Sequence, residues 1–294
     1  MRIFYGRWQQ MPQTSLPDFH NAKPFVKWVG GKRSLLPELL ARIPADFKNY
    51  YEPFVGGGAL FFALKNERKV NLGGGGGGGF FFFFFNFDLI NTYQVIQRDP
   101  EPLIAKLRIH AENHSKEYYY DLRSQHDLDD RVEIAARFIY LNKTCYNGLW
   151  RVNSKGEFNV PMGSYKNPTI CQEEVLRACH VSLQGVDVRM RDFRKLDASA
   201  GDFVYFDPPY QPLDKTSFTR YAKDDFGLKE QEALRDLCLE LNDRGAKFML
   251  SNSDISSTLY DNPVFRVETV KAPRFVNSRA DARGSVSELL ITNY

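Results

Sequence analysis

Apolar positions along the chain fall into two alternating rhythms. Short apolar-rich runs at Tyr50-Tyr51-Glu52, Val186–Met190, Phe203–Phe206, Lys247–Leu250 and Glu288–Ile291 read as strands. Between them, apolar residues recur at helical spacing over Ser34–Arg42, Ala59–Lys65, Glu173–Cys179 and Lys229–Leu241. In the first of these helices Leu35, Leu36, Leu39 and Leu40 make the apolar stripe. Lys69-Val70-Asn71-Leu72 reads as a further strand, second in order. Strands alternating with helices predict an α/β fold with a Rossmann-like, mostly parallel sheet. Residues 88–141 break the alternation with a mostly helical, charged, tyrosine-rich pattern (Tyr118, Tyr119, Tyr120). A hairpin follows, with Val152, the turn Asn153-Ser154-Lys155-Gly156 and then Glu157–Val160. The expected organisation is a discontinuous sheet domain, residues 1–90 and 171–294, carrying an inserted and largely helical domain, 91–170. Residues 1–22 read as an irregular arm.

One segment obeys neither rhythm. Residues 73–85 are seven glycines followed by six phenylalanines. Glycine is maximally flexible, and six consecutive aromatics cannot all face one core. The run reads as an inserted or placeholder stretch that interrupts the second strand, not as a membrane anchor. No Asp or Glu occurs between Glu67 and Asp88. An acid is expected near the end of the second strand wherever such a fold grips ribose hydroxyls.

Composition adds little to the fold and something to the location. The 294 residues carry a net charge of +3, which permits a polyanionic partner without announcing one. Residues 142–166 hold Lys143, Arg151, Lys155 and Lys166 against Glu157 alone, and residues 271–283 hold Lys271, Arg274, Arg279 and Arg283 against Asp281 alone. Each cluster suits either phosphate contacts or a solvated face. Cys145, Cys171, Cys179 and Cys238 show no CxxC spacing, which points to a reduced protein without a disulfide framework or zinc knuckle. His110 and His114 lie one helical turn apart with no acidic motif beside them, so they read as a polar helix face rather than a metal site. The N-terminus lacks a signal-peptide layout, and outside 73–85 no apolar run is long enough to span a membrane. A cytoplasmic enzyme without a bound metal is expected.

The chemistry concentrates in Asp207-Pro208-Pro209-Tyr210, just past the run Phe203–Phe206. A parallel sheet places its site past the carboxyl ends of its strands. Asp207 supplies a carboxylate, the two prolines a stiff turn that presents carbonyl acceptors, and Tyr210 an aromatic face. Such a turn suits a planar amino group on a ring. Upstream, Pro53-Phe54-Val55-Gly56-Gly57-Gly58 joins a strand to a helix, where glycines let a backbone approach a nucleotide-like ligand. Gly31-Lys32 is not a phosphate-binding P-loop, because Val26 stands where its first glycine belongs and Arg33 where Ser or Thr is required.

Four blocks in order resemble the Dam-type DNA adenine-N6 methyltransferases: Phe25–Lys32, Glu52–Gly58, Tyr146–Leu149 through Gly156–Pro161, and Asp207–Tyr210. The likeness covers nearly everything from Pro24 onward. It implies S-adenosylmethionine as methyl donor and double-stranded DNA as substrate, with 91–170 as the target-recognition domain. It implies cofactor contacts at Trp28, Lys32, Glu52, Phe54, Gly56 and Asp207, with Lys32 suited to the cofactor's carboxylate. It implies DNA contacts at Tyr146 and Asn147, and at Arg151 as reader of a guanine, with GATC as the expected site. Asp207, Pro208 and Tyr210 are then the catalytic residues, acting on a flipped-out adenine. A monomer is expected, with a restriction endonuclease as a functional companion, in a bacterial or phage-infected cell. The chain departs from the family at the ribose-binding acid, where homopolymer stands two residues before Asn86. Two other readings stay open at this level: a non-catalytic DNA-binding relative inactivated by 73–85, and a methyltransferase acting on RNA or a protein amide. A cytosine-C5 enzyme is excluded, since its Pro-Cys nucleophile is absent.

Overall fold

The computed structural model describes residues 22–66, 79–84, 86–209, 226–253, 258–273 and 285–294. Tyr210, the strand expected at Lys69–Leu72, the irregular arm except Ala22, and Arg274, Arg279, Asp281 and Arg283 lie outside the described residues. The strands are β1 (Tyr50–Glu52), β2 (Phe80–Phe84), β3 (Val186–Met190), β4 (Phe203–Phe206), β5 (Lys247–Ser253), β6 (Arg266–Pro273) and β7 (Ser285–Thr292). They form one seven-stranded sheet in the order β3-β2-β1-β4-β5-β7-β6. The first five run parallel, and β7 lies antiparallel between β5 and β6. Strand order reverses between β1 and β4, so the crevice of this Rossmann-like sheet opens at their carboxyl ends.

The two faces of the sheet sort residues with period two. Tyr50, Phe80, Phe82, Phe203, Tyr205, Met249 and Leu290 enter one core. Helices α2 (Ala59–Asn66), α3 (Phe87–Arg98) and α7 (Glu173–Ser182) line that core. Tyr51, Val204, Phe206, Phe248, Leu250, Leu289 and Ile291 enter the other, packed by α8 (Leu228–Asp243). Between α3 and α7 the chain forms α4 (Glu101–Glu112), α5 (Lys116–Ser124) and α6 (Arg131–Thr144). Leu103, Leu107, Tyr119, Phe138 and Ile139 join these helices to the first core without a break.

Two expectations need correction. The phenylalanine run is not an interruption, because Phe80–Phe84 is β2 itself, between β1 and β3. A strand covered on both faces needs no polar alternation. Phe80 and Phe82 are buried on one face, and on the other Phe81 stacks on Tyr51 with ring centroids 4.6 Å apart. Truncating Phe82 to Ala should cost about 3–5 kcal/mol. A homopolymer carries no register signal of its own, so polar residues at its ends must supply one. Asn49 Oδ1 accepts from Gly79 N–H at 2.8 Å while its amide nitrogen donates to Asp202 at 2.7 Å. At the far end Asn86 caps α3 by accepting from Leu89 N–H. The helix expected over Ser34–Arg42 is shorter, a 3-10 turn at Lys32–Leu35 followed by α1 (Leu36–Leu40), with Pro37 in the first turn of α1. The closing strand expected near Glu288–Ile291 lies within β7. It pairs along its length with β6, whose mixed sequence Arg266–Pro273 shows no apolar run.

Candidate active site and nucleic-acid interface

The glycine-rich turn after β1 is held from two sides. Gly56 has φ +47°, and a Cβ there would lie 2.6 Å from Trp28 Cδ1, so the Trp28 ring rests directly on its backbone. Gly58 has φ +69°, and a Cβ there would lie 2.8 Å from the Tyr93 hydroxyl. That hydroxyl donates to the Gly56 carbonyl at 3.1 Å. Trp28 and the turn, separated in sequence, thus form one wall. Phe54 faces the opposite core, with its ring 5.4 Å from Phe193 and 5.5 Å from Phe226.

Charge gathers at the neighbouring strand ends. Asp207 directly follows β4 and Glu52 ends β1. Lys32 Nζ lies 2.6 Å from Asp207 and 3.0 Å from Glu288 of β7, and donates to the Gly30 carbonyl at 3.0 Å. The Lys32 side chain is 5% exposed and that of Asp207 20%. Burial pushes the Asp207 carboxyl up to about 6, against the pull of Lys32, while Glu288 pushes it further up. Burial works to lower the Lys32 ammonium, but Asp207, Tyr205 and Glu288 outweigh it and leave the group raised. Glu52 is buried and accepts the Tyr50 hydroxyl at 2.8 Å. Burial pushes its carboxyl up to about 8, with Asp207 adding to the rise and the Tyr50 bond opposing it. Burial thus raises both carboxyls, and Lys32 favours the ionised form of Asp207 while nothing comparable opposes the rise at Glu52 except the Tyr50 bond and a backbone bond. Lys32, expected at a cofactor carboxylate, is engaged here by Asp207 and Glu288. Glu288 was not singled out from the sequence; it was legible only as part of a strand.

The segment expected to contact DNA is built on the end of α6. Trp150 anchors it in the core between Phe138 and Phe158, with ring centroids at 4.3 and 4.5 Å. Tyr146 is 46% exposed. Asn147 is exposed at φ 55°, a left-handed conformation that Asn tolerates. Arg151 precedes the hairpin, where Val152 bridges Phe158, and its Nε donates to Asn159 Oδ1 at 2.7 Å. Two hydrogen bonds tie this region to the cofactor-side blocks. Lys27 N–H donates to Asn142 Oδ1 at 2.8 Å, and Asn142 Nδ2 donates back to the Lys27 carbonyl at 2.7 Å. Lys27 Nζ sits 4.1 Å from the centre of the Tyr165 ring. Sequence reasoning missed the Lys27–Asn142 pair, since 115 positions separate its members and no pattern connects them.

Elsewhere, His110 and His114 bond to the hydroxyls of Tyr118 and Tyr140 at 2.7 and 2.8 Å. Among the described residues no group of three or more His, Cys, Asp or Glu is placed to hold a metal, and no helix is long and apolar enough to cross a membrane.

The profile of the D12 class N6 adenine-specific DNA methyltransferases matches residues 28–274. Type II methyltransferase M1.LlaDCHI of Lactococcus lactis subsp. cremoris is 41% identical over 93% of this chain and 96% of its own length. Type II methyltransferase M.MjaIII of Methanocaldococcus jannaschii is 42% identical, over 92% and 99%. A DNA adenine methylase of Vibrio cholerae is 34% identical, over 91% and 95%. Matched along most of its length by that profile and by these relatives, this chain belongs to the D12 class of N6 adenine-specific DNA methyltransferases.

Proposed function

We propose that this DNA adenine methyltransferase uses S-adenosylmethionine, acts on an adenine flipped out of duplex DNA, and takes GATC as its site. The observation that carries the reading is the Asp207-Pro208-Pro209 turn at the strand reversal, with Asp207 held ionised by Lys32. When bound, S-adenosylmethionine supplies a methyl group made electrophilic by its sulfonium.

The chain's own residues fit that cofactor at one end of the crevice. The Trp28 ring packed on the Gly56 backbone offers a flat apolar wall there, with Lys32 and Glu52 nearby as polar groups. They do not fit at the other end, where β2 terminates without a carboxylate for the ribose hydroxyls.

The adenine amino nitrogen is a poor nucleophile because its lone pair is delocalised into the ring. In the proposed mechanism the Asp207 carboxylate and the Pro208 carbonyl each accept one of its N–H bonds, so the nitrogen pyramidalises and its lone pair is freed. Asp207 accepts a hydrogen bond while ionised, which Lys32 favours, and takes the proton that the nitrogen releases as it gains the methyl group. Positioning and electrostatics supply the rate enhancement. Tyr210 is assigned to stack on the extruded base.

Target recognition is assigned to residues 91–170 and catalysis to 1–90 with 171–294. Tyr146 and Asn147 are assigned to DNA, and Arg151 to bidentate reading of a guanine, with Asn159 orienting its Nε. The names of the Type II relatives support a role beside a restriction endonuclease, and the enzyme is taken to act as a monomer. The test is transfer of labelled methyl to duplexes with and without GATC, followed by digestion with methylation-sensitive endonucleases. Label confined to GATC duplexes is expected. Label in protein or RNA alone, or DNA retention without label, overturns the reading. Arg151→Ala should relax discrimination at one guanine by about 1–3 kcal/mol.

A further inference from the structure

Two buried amides behind the Asp207–Pro209 turn have no part in the chemistry above. Gln231 in the first turns of α8 and Asn252 near the end of β5 are both fully buried. Their bonds run in one direction. Ser253 N–H donates to Asn252 Oδ1 at 2.9 Å, which turns the Asn252 nitrogen toward Gln231 Oε1, also at 2.9 Å. Gln231 Nε2 is thereby aimed at the Pro209 carbonyl, 3.4 Å away. Because a backbone N–H can only donate, it fixes the orientation of both amides in turn.

The Pro209 carbonyl is where such a grip matters most. Ring closure fixes φ at Pro208 and Pro209. Asp207 and Pro208 each precede a proline, which confines both to extended conformations. The torsion left soft is ψ of Pro209, which sets the direction of the Pro209 carbonyl. We propose that Gln231 and Asn252 are positioning residues, which hold that carbonyl and so fix the Asp207–Pro209 turn against the core where it meets the target amino group. The proposal rests on the assignment of the Asp207–Pro209 turn as the methyl-accepting end of the site.

The test is steady-state methylation of a duplex carrying the target site, with cofactor-product and DNA affinities and thermal melting measured on the same samples. A duplex with 2-aminopurine at the target adenine reports base extrusion. Gln231→Met keeps the volume and removes the donor. Its kcat should fall about tenfold or more, with a weaker 2-aminopurine signal, while KM for DNA and affinity for S-adenosylhomocysteine stay within about threefold. Asn252→Asp cannot donate to Gln231, so the Gln231 amide reverses and turns its oxygen toward the Pro209 carbonyl. This variant should match Gln231→Met, and the double variant should be no worse than either. Gln231→Glu separates positioning from mere structure, because only its protonated carboxyl can donate to Pro209. Its kcat relative to wild type should rise as pH falls. A folded Gln231→Met with wild-type kcat, or a Gln231→Glu deficit independent of pH, overturns the relay. Wild type that binds S-adenosylhomocysteine yet leaves adenine unmethylated, or Asp207→Ala that still transfers methyl, instead overturns the reading of the turn on which the relay depends.

Discussion

The two ends of the crevice are built to different standards. At β1 and β4 each polar group has a stated partner: Asp207 meets Lys32, Lys32 meets Glu288, and Glu52 meets Tyr50. One strand away, β2 is a run of phenylalanine that ends without a carboxylate. Both ends fold. A strand covered on both faces asks for apolar bulk and backbone hydrogen bonds, which a homopolymer supplies once Asn49 and Asn86 pin its ends. A ligand site asks for particular atoms at particular places, which bulk cannot replace. The fold of this sheet therefore does not depend on a carboxylate at the end of β2, whereas the proposed cofactor site does.

The sharpest way to break that contrast is at its stronger end. Asp207→Ala should reduce single-turnover methyl transfer by about 10²–10³-fold or more while DNA binding survives. Retention of a tenth of the activity would remove Asp207 from the chemistry. At the weaker end, Phe84 is the last residue of β2. Phe84→Asp should tighten S-adenosylhomocysteine binding by about tenfold or more, read by calorimetry, as a charged acceptor for a hydroxyl allows. An unchanged affinity would show that the end of β2 does not limit cofactor binding.

Smaller effects test the electrostatics. Lys32 favours the ionised form of Asp207 and Glu288 opposes it. The acid limb of kcat, expected near the Asp207 value of about 6, should move to higher pH in Lys32→Met and to lower pH in Glu288→Gln. Shifts of the same sign would mean that the limb belongs to another group. The smallest effect concerns Glu52, whose carboxyl is raised from 4.5 to about 8 in the folded chain. The folded state then binds a proton that the unfolded state has released, so stability should fall as pH rises from about 4.5 to about 8. Glu52→Gln should flatten that slope in thermal melts across the same range.

The strands with strong apolar runs were legible because burial on both faces writes a run into the sequence. Val186–Met190 and Phe203–Phe206 appear at their expected limits. The strand β6 was not legible, since it lies at the sheet edge with Arg266, Glu268 and Lys271 in it, and its partner β7 supplies the pairing. The turn Asp207–Pro209 was legible because proline pairs are rare and stiff. Glu288, Asn142, Gln231 and Asn252 were not, because each is an ordinary polar residue whose meaning lies in a partner far along the chain.

By itself the sequence determined the alternation of strands and helices, the stiff acidic turn after β4 and the order of the four blocks, all of which are local in the chain. Only the tertiary structure decided that Lys32 closes on Asp207 and Glu288, that Asn142 ties Lys27 to the recognition segment, and that a phenylalanine run completes the sheet. These depend on contacts between distant residues, and a hydrogen bond or ion pair is specified by distance and direction in space, which no spacing along the chain records.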